Sequence, residues 1–125
     1  MSEVLIVDDD LDARSALARF LEKAGHCVKI VPNGREALSA ILEKTPDVMV
    51  LDLLMPEMDG PSLLEVVRSY LRLQSLPVVV LTAIEEGPLV ERARNAKVNC
   101  ILKKSKATLE EIKSAVETAA CEIPN

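Results

Sequence analysis

An α/β fold, a parallel sheet wound on both faces by helices, is what this sequence predicts, and two observations carry the prediction. Five short apolar runs alternate with helical patterns along the whole chain. Runs one, three and four are almost unbroken in Val, Leu, Ile and Met, as strands covered on both faces must be. The length, 125 residues, is that of one domain. The expected organisation is therefore a single domain over 1–125, with no output domain attached.

Glu3-Val4-Leu5-Ile6-Val7-Asp8 reads as the first strand. From Asp12 to Ala24, apolar residues recur at Ala13, Ala16, Leu17, Phe20, Leu21 and Ala24, the stripe of an amphipathic helix. Gly25 is placed to end that helix with a positive φ. Cys27 to Val31 is the second strand. Pro32-Asn33-Gly34 turns the chain into a helix with Ala37, Leu38, Ile41 and Leu42 on one face. Asp47 to Asp52 is the third strand. The third helix is expected from about Pro61 to Leu73, burying Leu63, Leu64, Val67, Tyr70 and Leu71. Pro77 to Thr82 is the fourth strand, and Pro88 suits the first turn of a fourth helix. Asn99 to Leu102 is a short fifth strand. The last helix carries Leu109, Ile112, Val116 and Ala119, with Thr108 and Glu111 at capping-box spacing.

Strand two contains Lys29, and strand five is short and followed by lysines; both features belong at sheet edges. With right-handed crossovers this gives a doubly wound sheet in the order 2-1-3-4-5, the flavodoxin-like (βα)5 arrangement.

Composition narrows the function. One Phe, one Tyr and no Trp leave the core to aliphatic side chains. A net charge of −5 argues against direct nucleic-acid binding through phosphate contacts. Charged residues interrupt every apolar stretch before membrane-spanning length, and the N-terminus lacks the pattern of a signal peptide. Cys27, Cys100 and Cys121 include no CxxC pair. They fit buried thiols in a reducing cytoplasm better than a disulfide or a zinc site.

Ligands in such a sheet bind beyond the carboxyl ends of the strands, where the winding reverses, here between strands one and three. Strand one ends in Asp8-Asp9-Asp10 and strand three in Asp52. Carboxylates gathered there repel unless a cation sits among them. Oxygen-only ligands suit Mg²⁺, Mn²⁺ or Ca²⁺, and Mg²⁺ also leaves room for a phosphate. Strand four ends in Thr82, and strand five is followed by Lys103-Lys104. Acid, metal, hydroxyl and ammonium around one point make a phosphoryl-transfer site in which an Asp is the nucleophile. Asp10 or Asp12 is expected to cap the first helix. His26, the single histidine, is expected at the surface, away from this crevice.

Val4-Leu5-Ile6-Val7-Asp8-Asp9-Asp10, Asp47 through Gly60 and Pro77 through Ala83 resemble the three signature stretches of the response-regulator receiver family. The resemblance implies that Asp52 is the phosphoacceptor. It implies that Asp9, Asp52 and the Leu54 carbonyl bind Mg²⁺ directly, with Asp8 acting through water. Thr82 and the lysine after strand five would contact the phosphoryl group, with Lys104 preferred over Lys103. Gly60 and Pro56 would shape the loop after Asp52. The sequence departs from the family pattern at Ser105, where a proline is usual, and at Ile101, where an aromatic is common. The segment from Glu85 to Pro88 and the fourth helix would then carry more of any conformational switch.

The implied partners are a sensor histidine kinase or histidine phosphotransfer protein and a downstream protein or output domain, with a homodimer left open. The domain would support its own phosphorylation and dephosphorylation without being an enzyme in its own right. Two other functions compete. One is a receiver-like adaptor that binds partners without phosphorylation. The other is an aspartyl-nucleophile hydrolase of the haloacid dehalogenase type, which wants a second Asp where Leu54 stands.

Overall fold

The computed structural model describes residues 2–55, 57–84 and 86–121. The elements run β1 (Glu3–Val7), α1 (Leu11–Lys23), β2 (Cys27–Val31), α2 (Gly34–Glu43), β3 (Val48–Leu51), α3 (Gly60–Ser69), a 3₁₀ turn (Leu71–Leu73), β4 (Val78–Thr82), α4 (Pro88–Asn95), β5 (Cys100–Lys103) and α5 (Leu109–Cys121). The five strands are parallel and ordered β2-β1-β3-β4-β5, as expected.

Strand alternation sorts the core into two layers. Leu5, Val7, Met49, Leu51, Val78 and Val80 face α2, α3 and α4, packing with Ala37, Ile41, Leu63, Leu64, Val67, Val90 and Ala93. Val4, Ile6, Val48, Val50, Val79 and Leu81 face α1 and α5, packing with Leu17, Leu21, Ile112, Val116 and Ala119.

Local sequence chemistry sets the helix ends. Asp10 caps α1 by accepting from the Asp12 and Ala13 amides at 3.1 and 3.2 Å. Asp59 caps α3 through the Ser62 amide at 2.8 Å. Thr108 and Glu111 form the reciprocal capping box, at 2.9 and 3.1 Å. Gly25 closes α1 at φ 97°.

Four expectations need correction. The third helix stops at Ser69, because Tyr70 adopts an extended ψ of 127°. The following turn therefore restarts out of phase, leaving Tyr70 and Leu71 exposed (39% and 87%) and burying Leu73 instead. Leu42 and Leu109 lie at the margins of their stripes and are also exposed. Cys27 and Cys121 are exposed and Cys100 is half-buried, since they sit on the outer edge strand, at the end of α5 and on the partly covered β5. His26 is buried, accepting from the Ser2 amide at Nδ1 and pairing with Glu117 at 2.9 Å through Nε2. Pro56, Glu85 and Ile123-Pro124-Asn125 lie outside the described residues, so the turn assigned to Pro56 and the start of the Glu85–Pro88 segment do too.

Gly60 is required by proximity. A Cβ there would fall 2.7 Å from the Asp52 carbonyl oxygen and 2.8 Å from the Leu53 Cα, both backbone atoms that cannot step aside. Gly60→Ala is expected to cost about 1–3 kcal/mol, read as a lower urea midpoint in metal-free protein. An unchanged midpoint would show that the β3–α3 loop yields more easily than its packing implies.

Candidate functional site

Strand register brings the acidic residues to one rim. Val7 of β1 pairs with Leu51 of β3, so Asp8 and Asp52, the next residue in each strand, emerge side by side. The Asp52 amide donates to the Val7 carbonyl at 3.0 Å, continuing the ladder to the crevice. Thr82 pairs with Lys103 across β4 and β5, and the Lys104 amide donates to the Thr82 carbonyl at 2.9 Å.

Oxygens of Asp8, Asp9 and Asp52 lie within 4.8 Å of one another. Asp8 and Asp52 are buried and Asp9 is exposed. Lys104 enters from β5, its Nζ 2.7 Å from Asp8 Oδ2 and 3.3 Å from Asp52 Oδ2. The other Asp8 oxygen accepts from the Asp10 amide at 2.9 Å. Asp8 thus has both oxygens engaged, whereas Asp9 faces solvent. Thr82 is fully buried, and its Oγ1 accepts from the Ile84 amide at 3.0 Å. Lys103 turns the other way and donates to the Ile84 carbonyl at 3.2 Å. Leu54 exposes its side chain. No cis peptide occurs among the described residues, so the Lys104–Ser105 bond is trans.

Burial pushes the Asp52 carboxyl above its ordinary value, and the neighbouring Asp8 charge pushes the same way. Lys104 and the Leu54 amide oppose this without cancelling it. For Lys104, burial alone would lower the ammonium, but Asp8 and Asp52 outweigh it and raise the group. The three carboxylates outnumber the one ammonium that pairs with them. An all-oxygen donor set with that excess of acids fits a hard divalent cation such as Mg²⁺ and does not fit zinc.

All the acidic, hydroxyl and lysine residues singled out from sequence, Asp8, Asp9, Asp52, Thr82 and Lys104, stand at the carboxyl-end rim of the sheet. Sequence reading missed Arg14, one turn into α1. Its Nη1 donates to the Asp8 carbonyl at 3.3 Å, and its Nε is buried without a partner. It also missed Asn33, which caps α2 and donates to Glu57 at 3.0 Å, holding the β3–α3 loop. Asn33 could have been found from the Asn-x-x-Glu spacing before a helix; Arg14 had no comparable signal.

A sequence model described as "Response regulator receiver domain" matches residues 4–117. An uncharacterized 14.6 kDa protein of Leptolyngbya boryana is 38% identical over 111 residues, covering 89% of this chain and 85% of that one. The response regulator MprA of Mycolicibacterium vanbaalenii is 42% identical over 80 residues, covering 64% of this chain and 34% of its own length. The chain thus spans most of the first relative but only a third of the second. Among solved structures, the signal receiver domain of a signal transduction histidine kinase from Syntrophus aciditrophicus aligns with TM-score 0.89 and 28% identity, covering 100% of this chain and 96% of that one. The receiver domain of the response regulator NarL from Mycobacterium tuberculosis aligns with TM-score 0.85 and 32% identity, over 98% of both chains.

Asp52→Asn is expected to raise metal-free stability by a few degrees in melting temperature. The sign follows from linkage: a carboxyl raised in the native state holds its proton more tightly there than when unfolded. Stability is then lost as pH climbs from the unfolded carboxyl value through the native one. Melting curves across the carboxylate range should show a falling limb in the wild type that is shallower in Asp52→Asn. Parallel curves for the two proteins would contradict the raised carboxyl.

Proposed function

The chain belongs to the response-regulator receiver family of two-component signalling, and from that premise we propose that Asp52 takes a phosphoryl group from a phosphohistidine, borne by a sensor histidine kinase or a histidine phosphotransfer protein. The observation that supports this most is the convergence of Asp8, Asp9 and Asp52 within 4.8 Å, with Lys104 bridging two of them.

An Asp52 oxygen attacks phosphorus in line, the new O–P bond forms as the P–N bond to histidine breaks, and the imidazole leaves with the electron pair. Asp9, Asp52 and the Leu54 carbonyl would hold Mg²⁺ directly and Asp8 through water; the ion would neutralise charge on the transferred oxygens. Lys104 gives up part of its pairing with Asp52 and donates to a phosphoryl oxygen. Thr82 offers its hydroxyl proton to another, while its oxygen keeps the Ile84 amide. Arg14 holds the Asp8 carbonyl and so steadies the turn carrying Asp9. Hydrolysis of the acyl phosphate by water in the same site returns the resting state, which makes the domain a self-resetting phosphoacceptor.

The phosphorylated domain acts by changing its surface around α4, β5 and α5 for a downstream protein or output domain. Its place is the cytoplasm, where kinases and acyl phosphates are found, with no direct nucleic-acid or membrane contact; a homodimer through the same surface is compatible with this reading. A trans Lys104–Ser105 bond leaves Lys104 within reach of Asp52, so the missing proline does not remove the lysine's role.

Acetyl phosphate with Mg²⁺ is expected to label the wild type at Asp52, readable as a mass increase. Asp52→Asn, or addition of EDTA, should abolish the label. An unlabelled wild type would reject this reading and favour a phosphorylation-independent adaptor. Lys104→Ala should weaken binding of beryllofluoride, which mimics the phosphoryl group, about tenfold more than Lys103→Ala. Equal effects would remove Lys104 from the site.

A further inference from the structure

Helix α4 is fastened to α3 at both ends by arginines. At one end Arg92 of α4 grips the first turns of α3. Its Nε and Nη2 donate to the two Glu65 oxygens at 3.1 and 2.9 Å, and Nη2 also reaches Ser62 Oγ at 3.3 Å. Asp59, the N-cap of α3, lies 3.9 Å from its Nη1. At the other end Arg68 of α3 reaches back to the exit of α4. It donates to the Ala96 and Lys97 carbonyls at 3.0 and 3.2 Å, and to Leu73 at 3.0 Å. Alongside these staples Val90 and Ala93 of α4 are fully buried in one core with Leu63, Leu64 and Val67 of α3.

The near end of this pair touches the phosphoacceptor backbone. The Gly60 amide donates to the Leu53 carbonyl at 2.9 Å, and Gly60 lies so close to the Asp52 carbonyl that a Cβ could not be added. A displacement of the Asp52–Leu53 backbone therefore meets α3 directly, and α3 carries α4 with it.

The start of α4 is less firmly held: Gly87, its N-cap, sits at φ 129° with open space around it, and the helix has no side-chain N-cap bond. Ile101 of β5 is β-branched and packs against the core, which leaves it little rotameric freedom with which to relay a change.

We propose that, in this chain, the state of Asp52 is transmitted to the α4 surface through α3, with Arg92 as the residue that couples the two helices. This rests on the reading of Asp52 as phosphoacceptor. Arg92 is a positioning residue: it touches neither the acids nor the phosphoryl group. Coupling between the site and α4 requires that the connecting element respond to both, and the α3–α4 pair, joined by a shared buried core and by the Arg92 and Arg68 bonds, reaches from one to the other.

The test compares amide hydrogen exchange of the 88–95 segment with and without Mg²⁺ and beryllofluoride. It uses wild type, Arg92→Met, and the swapped pair Arg92→Glu with Glu65→Arg. Exposed ion pairs contribute little to stability, so all three should fold and label with acetyl phosphate at similar rates. The wild type is expected to show a beryllofluoride-dependent change in α4 exchange. Arg92→Met should lose more than half of that change, and the swapped pair should recover it. A full response in Arg92→Met overturns the proposal, as does a wild type that binds beryllofluoride yet leaves α4 exchange unchanged. A swapped pair that stays at the Arg92→Met level also overturns the role of the salt bridge. Failure of wild type to bind beryllofluoride or take a label rejects the phosphoacceptor reading itself, and is thereby distinguished from failure of the coupling alone.

Discussion

Everything at the rim of the sheet follows from confining like charges. Asp8 and Asp52 are held side by side by the parallel register of β1 and β3, and both are buried. Burial and the Asp8 charge make the Asp52 carboxyl resist ionisation. Lys104 relieves part of that resistance and leaves the rest for a divalent cation. The raised carboxyl of Asp52 is the residue of the conflict.

Around this point the fold is organised to hold position. The ladder carries hydrogen bonds up to Asp52, Asp10 caps α1 while its amide rests on Asp8, and Arg14 holds the Asp8 carbonyl. On the far side of Asp52, Gly60 and the capped start of α3 crowd the backbone. Asp52 is thus fixed from two directions, which suits the in-line attack proposed for it. The same crowding gives α3 a mechanical interest in the state of Asp52, and the arginines between α3 and α4 extend that interest to the surface.

His26 and the cysteines show how residue type alone misleads. A single polar histidine beside an edge strand suggests the surface, yet His26 lies beneath the start of the chain and against Glu117 of α5. Small thiols suggest the interior, yet Cys27 heads the outer edge strand. In each case burial was decided by which segments fold over the position, and composition carries no information on that.

Strand and helix periodicity, the edge character of strands two and five, and the caps at Asp10 and Thr108 were all legible in the sequence, because they arise from contacts within a few residues. So was the gathering of Asp8, Asp52, Thr82 and Lys104 at one rim, since strands of a parallel sheet must deliver their terminal residues there. The phase break at Tyr70, the crowding at Gly60, the grip of Arg14 and Arg92 and the burial of His26 were decided only by the tertiary structure. Each depends on where the backbone brings groups together in space, whether six residues apart, as Arg14 and Asp8, or ninety-one, as His26 and Glu117, and one-dimensional spacing cannot encode where such partners meet.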